Sequence, residues 1–259
     1  MSDNSTTAEP PAPDFLDPGA GSPRIAYRRI PGKSPGIVFC TGFMSDMTGS
    51  KAMAVEAFAR SRGQACLRFD YSGHGESDGK FADGCIGAWF ADALAAFDAL
   101  TQGPQIVVGS SMGGWIALLL AKARPKRIKA LVGLAAAPDF TEDLMWAAMP
   151  PPVQAELMAK GVIYEPSQYG EEPYTITRKL IEDGREHLVL RGPIEFTGPM
   201  RLLHGMNDPD VPWELSPKIA RMATSQDVRV TLVKDGDHRL SREQDLDLLR
   251  ATLAELSVE

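Results

Sequence analysis

The chain has 259 residues, 44% of them hydrophobic, and a formal net charge of −7. That length and apolar content suit one sizeable folded core. The acidic balance excludes general nucleic-acid binding, which needs a basic face to neutralise phosphates.

Residues 1–23, "MSDNSTTAEPPAPDFLDPGAGSP", hold acids and prolines but no lysine or arginine. A secretory signal needs a basic start and an apolar stretch, and an organelle transit peptide needs arginine and few acids. Neither fits, and a disordered tail is expected. "RIAYRRI" (24–30) reads as an antiparallel edge strand. "GIVFCTG" (36–42), "ACLRFDY" (65–71), "PQIVVGS" (104–110), "IKALVGLAA" (128–136), "MRLLHGM" (200–206) and "VRVTLVKDG" (228–236) are further strands. Their continuous apolar character suits strands buried on both faces of a parallel sheet. Helical patterns alternate with them: "AWFADALAAFDAL" (88–100), "GGWIALLLAKAR" (113–124), "LSPKIARMAT" (215–224) and "REQDLDLLRATLAEL" (242–256). The first places Trp89, Phe90, Leu94, Phe97 and Leu100 on one broad face. This order predicts an α/β fold, a three-layer sandwich around a mostly parallel sheet.

The rhythm breaks at residues 139–195, which contain Pro150, Pro151, Pro152, Pro166, Pro173 and Pro193 and no convincing core strand. A structureless loop of that length is uncommon, so a helical lid inserted into a core of 24–138 and 196–259 is expected. "WIALLLA" (115–121) is far short of the roughly 20 residues of a transmembrane span. Cys40, Cys66 and Cys85 have no CxxC spacing. An odd number of thiols points to reduced, buried cysteines and a cytoplasmic setting.

Within "VVGSSMGGW" (107–115), Ser111 has glycine two residues before and two after, giving G-x-S-x-G; Ser110 does not. A serine on a sharp strand-to-helix turn makes those flanking positions crowd each other, so they must be small. The alternative is a helix entry capped by a serine. A nucleophilic serine needs a base and an orienting acid. Of the four histidines, His74 precedes the serine, His187 lies in the lid and His204 ends a strand. Only His238 follows an acid at the end of a preceding strand, the chain order of this fold type. That acid is Asp208, with Asp210 as its competitor; Asp237 is read as a turn cap, and His204 and His74 as loop-stabilising. By position, the backbone N–H groups of Phe43 and Met112 form the oxyanion hole. No HExxH, paired Cys/His or P-loop pattern occurs, so neither a metal nor another cofactor is expected.

"GKSPGIVF", "ACLRFDYSGHGESDG", "GPQIVVGSSMGGW", "RLLHGMNDPDVPW" and "DHR" resemble the α/β-hydrolase fold family from about residue 25 to near the C-terminus. The longer runs, with "GVIYEPSQYGEE" (161–172), are similar to a mitochondrial subgroup that cleaves palmitoyl thioesters and acyl glucuronides. The resemblance implies those reactions, with the family's serine, aspartate and histidine falling on Ser111, Asp208 and His238. Two features depart from it. The acidic start is not a mitochondrial presequence, so a bacterial cytoplasmic relative or a mature form is expected. Thr41 stands where many hydrolases have histidine before glycine.

In the lid, Leu144, Met145, Trp146, Met149, Leu157 and Met158 either cover an acyl chain or pack the lid onto the core. Met145, Trp146 and Met149 are the substrate-binding candidates. Arg178, Lys179, Arg185 and Arg191 either meet an anionic leaving group or form a solvated face. The reading is a serine hydrolase of a small acyl ester or an S-acylated protein or peptide. A carbon–carbon bond hydrolase on the same triad and a non-catalytic binding protein are the alternatives.

Overall fold

The computed structural model describes residues 12–19, 21–165 and 173–258. An eight-stranded sheet forms its centre. Its strands are β1 (Asp14–Leu16), β2 (Ile25–Ile30), β3 (Lys33–Cys40), β4 (Gln64–Phe69), β5 (Gln105–Ser110), β6 (Ile128–Leu134), β9 (Met200–Gly205) and β10 (Val228–Val233), in the order β1-β2-β4-β3-β5-β6-β9-β10. From β4 to β10 all neighbours run parallel, while β2 joins β4 and β1 joins β2 antiparallel. The α/β class and mostly parallel sheet read from the sequence therefore hold.

Pleating sorts the core. On β3, Ile37 and Phe39 face one helix layer, and Val38 and Cys40 face the other. The first layer contains α1 (Ser50–Arg62) and α7 (Glu243–Leu256). The second contains α2 (Ile86–Leu100), α3 (Met112–Ala123) and α6 (Leu215–Met222). Residues 112–121 of α3 are all buried. A helix apolar all round needs cover on every side. Sheet and α2 supply part of it, and Trp115 Nε1 donates to the carbonyl of His187 at 2.9 Å, bringing in the segment after α5 (Arg178–Arg185).

Residues 14–16 are strand within the stretch expected to be a disordered tail; residues 1–11 and 20 lie outside the described residues. β1 pairs Phe15 with Ala26, and the Arg24 guanidinium lies 4.6 Å from the Phe15 ring centroid. A strand of three residues, lying between Pro13 and Pro18, is too short to show a period.

Between β6 and β9 the chain forms a π-helical turn (Thr141–Trp146), α4 (Pro151–Lys160), the antiparallel pair β7 (Val162–Glu165) and β8 (Tyr174–Thr177), and then α5. The insertion expected to be helical thus also contains a β-ribbon, with strands of four residues that leave little periodic signal. It has its own small core of Met149, Leu157, Ile163, Ile176 and Ile181. Two buried or half-buried carboxylates clamp it. Asp139 accepts from the N–H groups of Val189 (2.8 Å) and Leu190 (2.9 Å). Asp183 on α5 accepts from Gly87 N at the start of α2 (2.7 Å). Among the described residues no helix is long and apolar enough to cross a membrane.

At the ends of β9 and β10 the backbones nearly touch: a Cβ on Gly205 would run into the backbone of Gly236. Gly205→Ala is therefore expected to cost about 1–3 kcal/mol and lower the melting temperature by several degrees. Gly192→Ala, where a Cβ meets open space, is expected to melt like the wild type in the same calorimetric scan.

Candidate active site

Ser111 stands between the end of β5 and the first residue of α3, with φ 54° and ψ −120°. A non-glycine residue at positive φ is strained and needs surrounding structure to hold it. That support is visible. Ser111 N donates to Leu134 O (2.9 Å), and its carbonyl accepts from Gly114 N (2.8 Å) and Ala137 N (3.0 Å). A Cβ on Gly109 would strike the carbonyl of Gly113, one on Gly113 would strike Cys40, and one on Gly114 would strike Ala136. The steric logic of the motif therefore extends to a third glycine. The Ser111 side chain does not cap α3, so the serine-cap alternative does not describe it. Ser110 is buried as the last residue of β5.

The Ser111 hydroxyl instead lies 3.1 Å from His238 Nε2, and His238 Nδ1 lies 2.7 Å from Asp208 Oδ2. With Nδ1–H donating to the carboxylate, Nε2 is left as the acceptor facing the hydroxyl. Asp208, not Asp210, receives His238. Asp210 contributes its backbone N–H, which donates to Asp208 Oδ1 (2.9 Å) beside that of Val211 (2.8 Å). Asp237 Oδ1 accepts from Leu240 N at 3.0 Å, the turn-capping role expected of it.

A second histidine completes the network. His204 is fully buried, and its Nε2 approaches Asp208 Oδ2 (3.2 Å) and the carbonyl of Val211 (3.1 Å). Two acceptors at Nε2 place the proton there and leave Nδ1 to accept from Ser216 Oγ (2.8 Å). The loop-stabilising reading of His204 understated this contact; its i, i+4 spacing from Asp208 was the available signal. Burial alone would raise the Asp208 carboxyl, whose side chain is fully enclosed. Hydrogen bonds from His204 and His238 overcome that and hold it well below the usual carboxylate range. The two loops are tied together, with Met206 N donating to Val233 O (2.8 Å) and Asn207 N to Gly236 O (2.9 Å).

The loop after β3 adjoins the serine: a Cβ on Gly42 would lie 3.5 Å from Ser111 Cβ. Phe43 follows in this loop, and Met112 follows the serine as the first residue of α3. Neither residue's N–H donates a backbone hydrogen bond among the described residues. Thr41 Oγ1 is buried and without a partner among them. Phe43 opens an aromatic cluster, its ring centroid 4.9 Å from Phe81, 5.9 Å from Trp89, 5.7 Å from Phe140 and 6.1 Å from Tyr174. These residues come from four separate segments, so no local pattern announced the cluster.

A model of the α/β-hydrolase fold matches residues 35–160. The mitochondrial palmitoyl-protein thioesterase ABHD10 of Mus musculus is 46% identical over 235 residues, covering 90% of this chain and 79% of that protein. The chain belongs to the α/β-hydrolase family. The Homo sapiens protein of the same name is 45% identical, with 90% of this chain and 76% of that protein covered. The solved structure of mouse alpha/beta hydrolase domain-containing protein 10 superposes with a TM-score of 0.88 at 44% identity, covering 95% of this chain and 98% of that one. The resemblance read from the sequence therefore holds. Both named thioesterases are described as mitochondrial, so the cytoplasmic expectation gains nothing from them.

In this α/β hydrolase the insertion's candidate residues divide. Met149 is buried in the insertion's own core, and Trp146 packs on that core with the Arg185 guanidinium 4.8 Å from its ring centroid. Met145 touches both that core and the main one. The four cations are engaged within the chain. Arg185 pairs with Glu142 (2.7 Å), Arg191 with Asp143 (2.5 Å) and Arg178 with Glu182 (3.7 Å), and Lys179 donates to the Asp83 carbonyl (2.6 Å). This favours the structural reading of their charge. Of the stretch 161–172 that carried part of the resemblance, residues 166–172 lie outside the described residues. The cluster among the described residues that could offer ligands to a metal is Asp208, Asp210 and His238, with ligand atoms within 4.8 Å of one another. Asp208 and His238 there already bond to each other at 2.7 Å. All three cysteines are free and buried, and burial pushes the thiols of Cys40 and Cys66 up to about 12. They are not poised as nucleophiles.

His74 sits among Tyr71, Phe81 and Trp89, with Nδ1 3.3 Å from the Ser72 carbonyl and Nε2 unpartnered among the described residues. Burial lowers it from 6.5 to about 4. The unfolded chain then takes up this proton first, so the stability contribution is full above about pH 6.5 and is lost as the pH falls towards 4. The loss is on the order of 3 kcal/mol by the free energy of a pKa unit. In denaturant titrations at pH 7 and pH 4.5, His74→Phe is expected to lose less stability between the two pH values than the wild type.

Proposed function

We propose that this hydrolase cleaves acyl esters and thioesters by acyl transfer through Ser111. The observation that carries the reading is the unbroken hydrogen-bond chain from the Ser111 hydroxyl through His238 (3.1 Å) to buried Asp208 (2.7 Å), on a strained strand-to-helix turn. Donor and acceptor lie within the reach that general-base activation requires.

His238 Nε2 takes the Ser111 proton as Oγ attacks the acyl carbon. The resulting oxyanion is held by the N–H groups of Met112 and Phe43, with the positive end of α3 behind the first. His238, now imidazolium, is stabilised by Asp208 and gives its proton to the departing thiol or alcohol. Water then attacks the acyl-enzyme by the same route and regenerates the serine.

The acyl part lies against the apolar wall of Phe43, Phe140 and Tyr174, with Met145 of the insertion packed on the same core. An S-acylated protein or peptide is the favoured substrate, supported by the thioesterase name of the mouse and human relatives. The glucuronide reading is weaker here, because the cations that would meet a glucuronate are already paired.

Wild type, Ser111→Ala and Asp208→Asn are compared on p-nitrophenyl esters of graded chain length, a palmitoyl-cysteine peptide and an acyl glucuronide. Ser111→Ala is expected to lose at least about 10⁴-fold in kcat and to resist an active-serine phosphonate, and Asp208→Asn to lose about 10⁴-fold. Turnover surviving in Ser111→Ala would remove the serine from the mechanism. Wild type inert to all of these but active on an aryl diketone would instead make it a carbon–carbon bond hydrolase.

A further inference from the structure

The histidine of this site stands on the loop between β10 and α7, and most bonds of that loop are local. Asp237 caps Leu240, and Arg242 pairs with Asp235 (2.8 Å) and Asp245 (2.9 Å). Besides the His238 contacts and the Asn207 N–Gly236 O bond described above, another bond reaches a distant element. Lys51, the second residue of α1, donates from Nζ to the carbonyl of Arg239, which is 188 residues away and adjacent to His238. α1 itself packs on β4 and α7, so this bond anchors the loop to a rigid body.

We propose that Lys51 is a positioning residue, its ammonium holding the Arg239 carbonyl so that His238 Nε2 stays within reach of Ser111 Oγ. The inference rests on the catalytic reading of Ser111 and His238 given above. Lysine suits the task. Its four-carbon stem spans from helix to loop, and its ammonium offers three donors to a carbonyl that must be gripped without a competing acceptor. Charge adds a second effect. The groups facing the ammonium are Arg239, Asp237 and Asp208 of the site loops and Asp245 of α7. Burial and Arg239 lower Lys51 to about 8, against the pull of the three aspartates. Below that pH the ammonium is a cation that interacts with Asp208, so it adds one positive charge to the neighbourhood of the site.

Three variants separate the tether from the charge. Lys51→Met removes both. It is expected to lower kcat by between about 10- and 100-fold, the scale of a misplaced catalytic group, with KM within about twofold. It is also expected to move the acid limb of the kcat/KM profile to higher pH, because one positive charge fewer stands near the site. Lys51→Arg is expected to recover both properties. Lys51→Gln, a shorter donor without a charge, is expected to recover only part of kcat and to keep the displaced acid limb. Melting curves of all three are recorded at the assay pH. Unchanged kcat and acid limb in Lys51→Met would overturn the proposal. So would a loss that only tracks unfolded protein and is not recovered by Lys51→Arg. Failure of the underlying reading shows elsewhere, as activity remaining in Ser111→Ala.

Discussion

A carboxylate enclosed by protein is kept charged by two imidazoles, and the geometry of the site follows from that. Removing Asp208 from water costs several kcal/mol unless it is richly hydrogen-bonded. Here Oδ2 receives His238 and His204, and Oδ1 receives two backbone N–H groups. This arrangement fixes a proton on His238 Nδ1 and one on His204 Nε2, so each ring has one usable orientation. The His238 nitrogen that faces Ser111 is thereby left as an acceptor.

The sheet delivers these groups to one edge. Ser111, the Gly42–Phe43 loop, Asp208 and His238 follow the carboxyl ends of β5, β3, β9 and β10, where open α/β sheets collect their chemistry. Parallel pairing puts those ends side by side, and glycines let the backbones close the remaining distance. The insertion supplies what the sheet edge lacks, an apolar wall that reaches Phe43 through Phe140 and Tyr174. Its clamp at Asp139 holds its two ends together, and its clamp at Asp183 ties it to the start of α2.

The parallel strands were legible because each is a short, continuous apolar run ending at a turn residue. Ser111 was legible because its glycines are a steric requirement, and His238 because only one histidine had the right chain order. What stayed hidden has a physical reason too. β1 and the ribbon are too short for periodicity. The aromatic cluster draws residues from separate segments, so its existence is a property of the fold. His204 was visible as a residue but not as a partner of Asp208, since a strand-end histidine bonds to whatever the turn brings round. The four cations of the insertion looked available because a linear sequence does not show which carboxylates lie opposite them.

The left-handed backbone at Ser111 bears on how such a chain evolves. Glycine would occupy that turn without strain, and a serine there costs of order 1–3 kcal/mol. Selection for thermal robustness alone would drift this position towards glycine. On the proposed reading, the serine is held there against that drift by turnover, and gains in robustness would have to come from elsewhere in the fold.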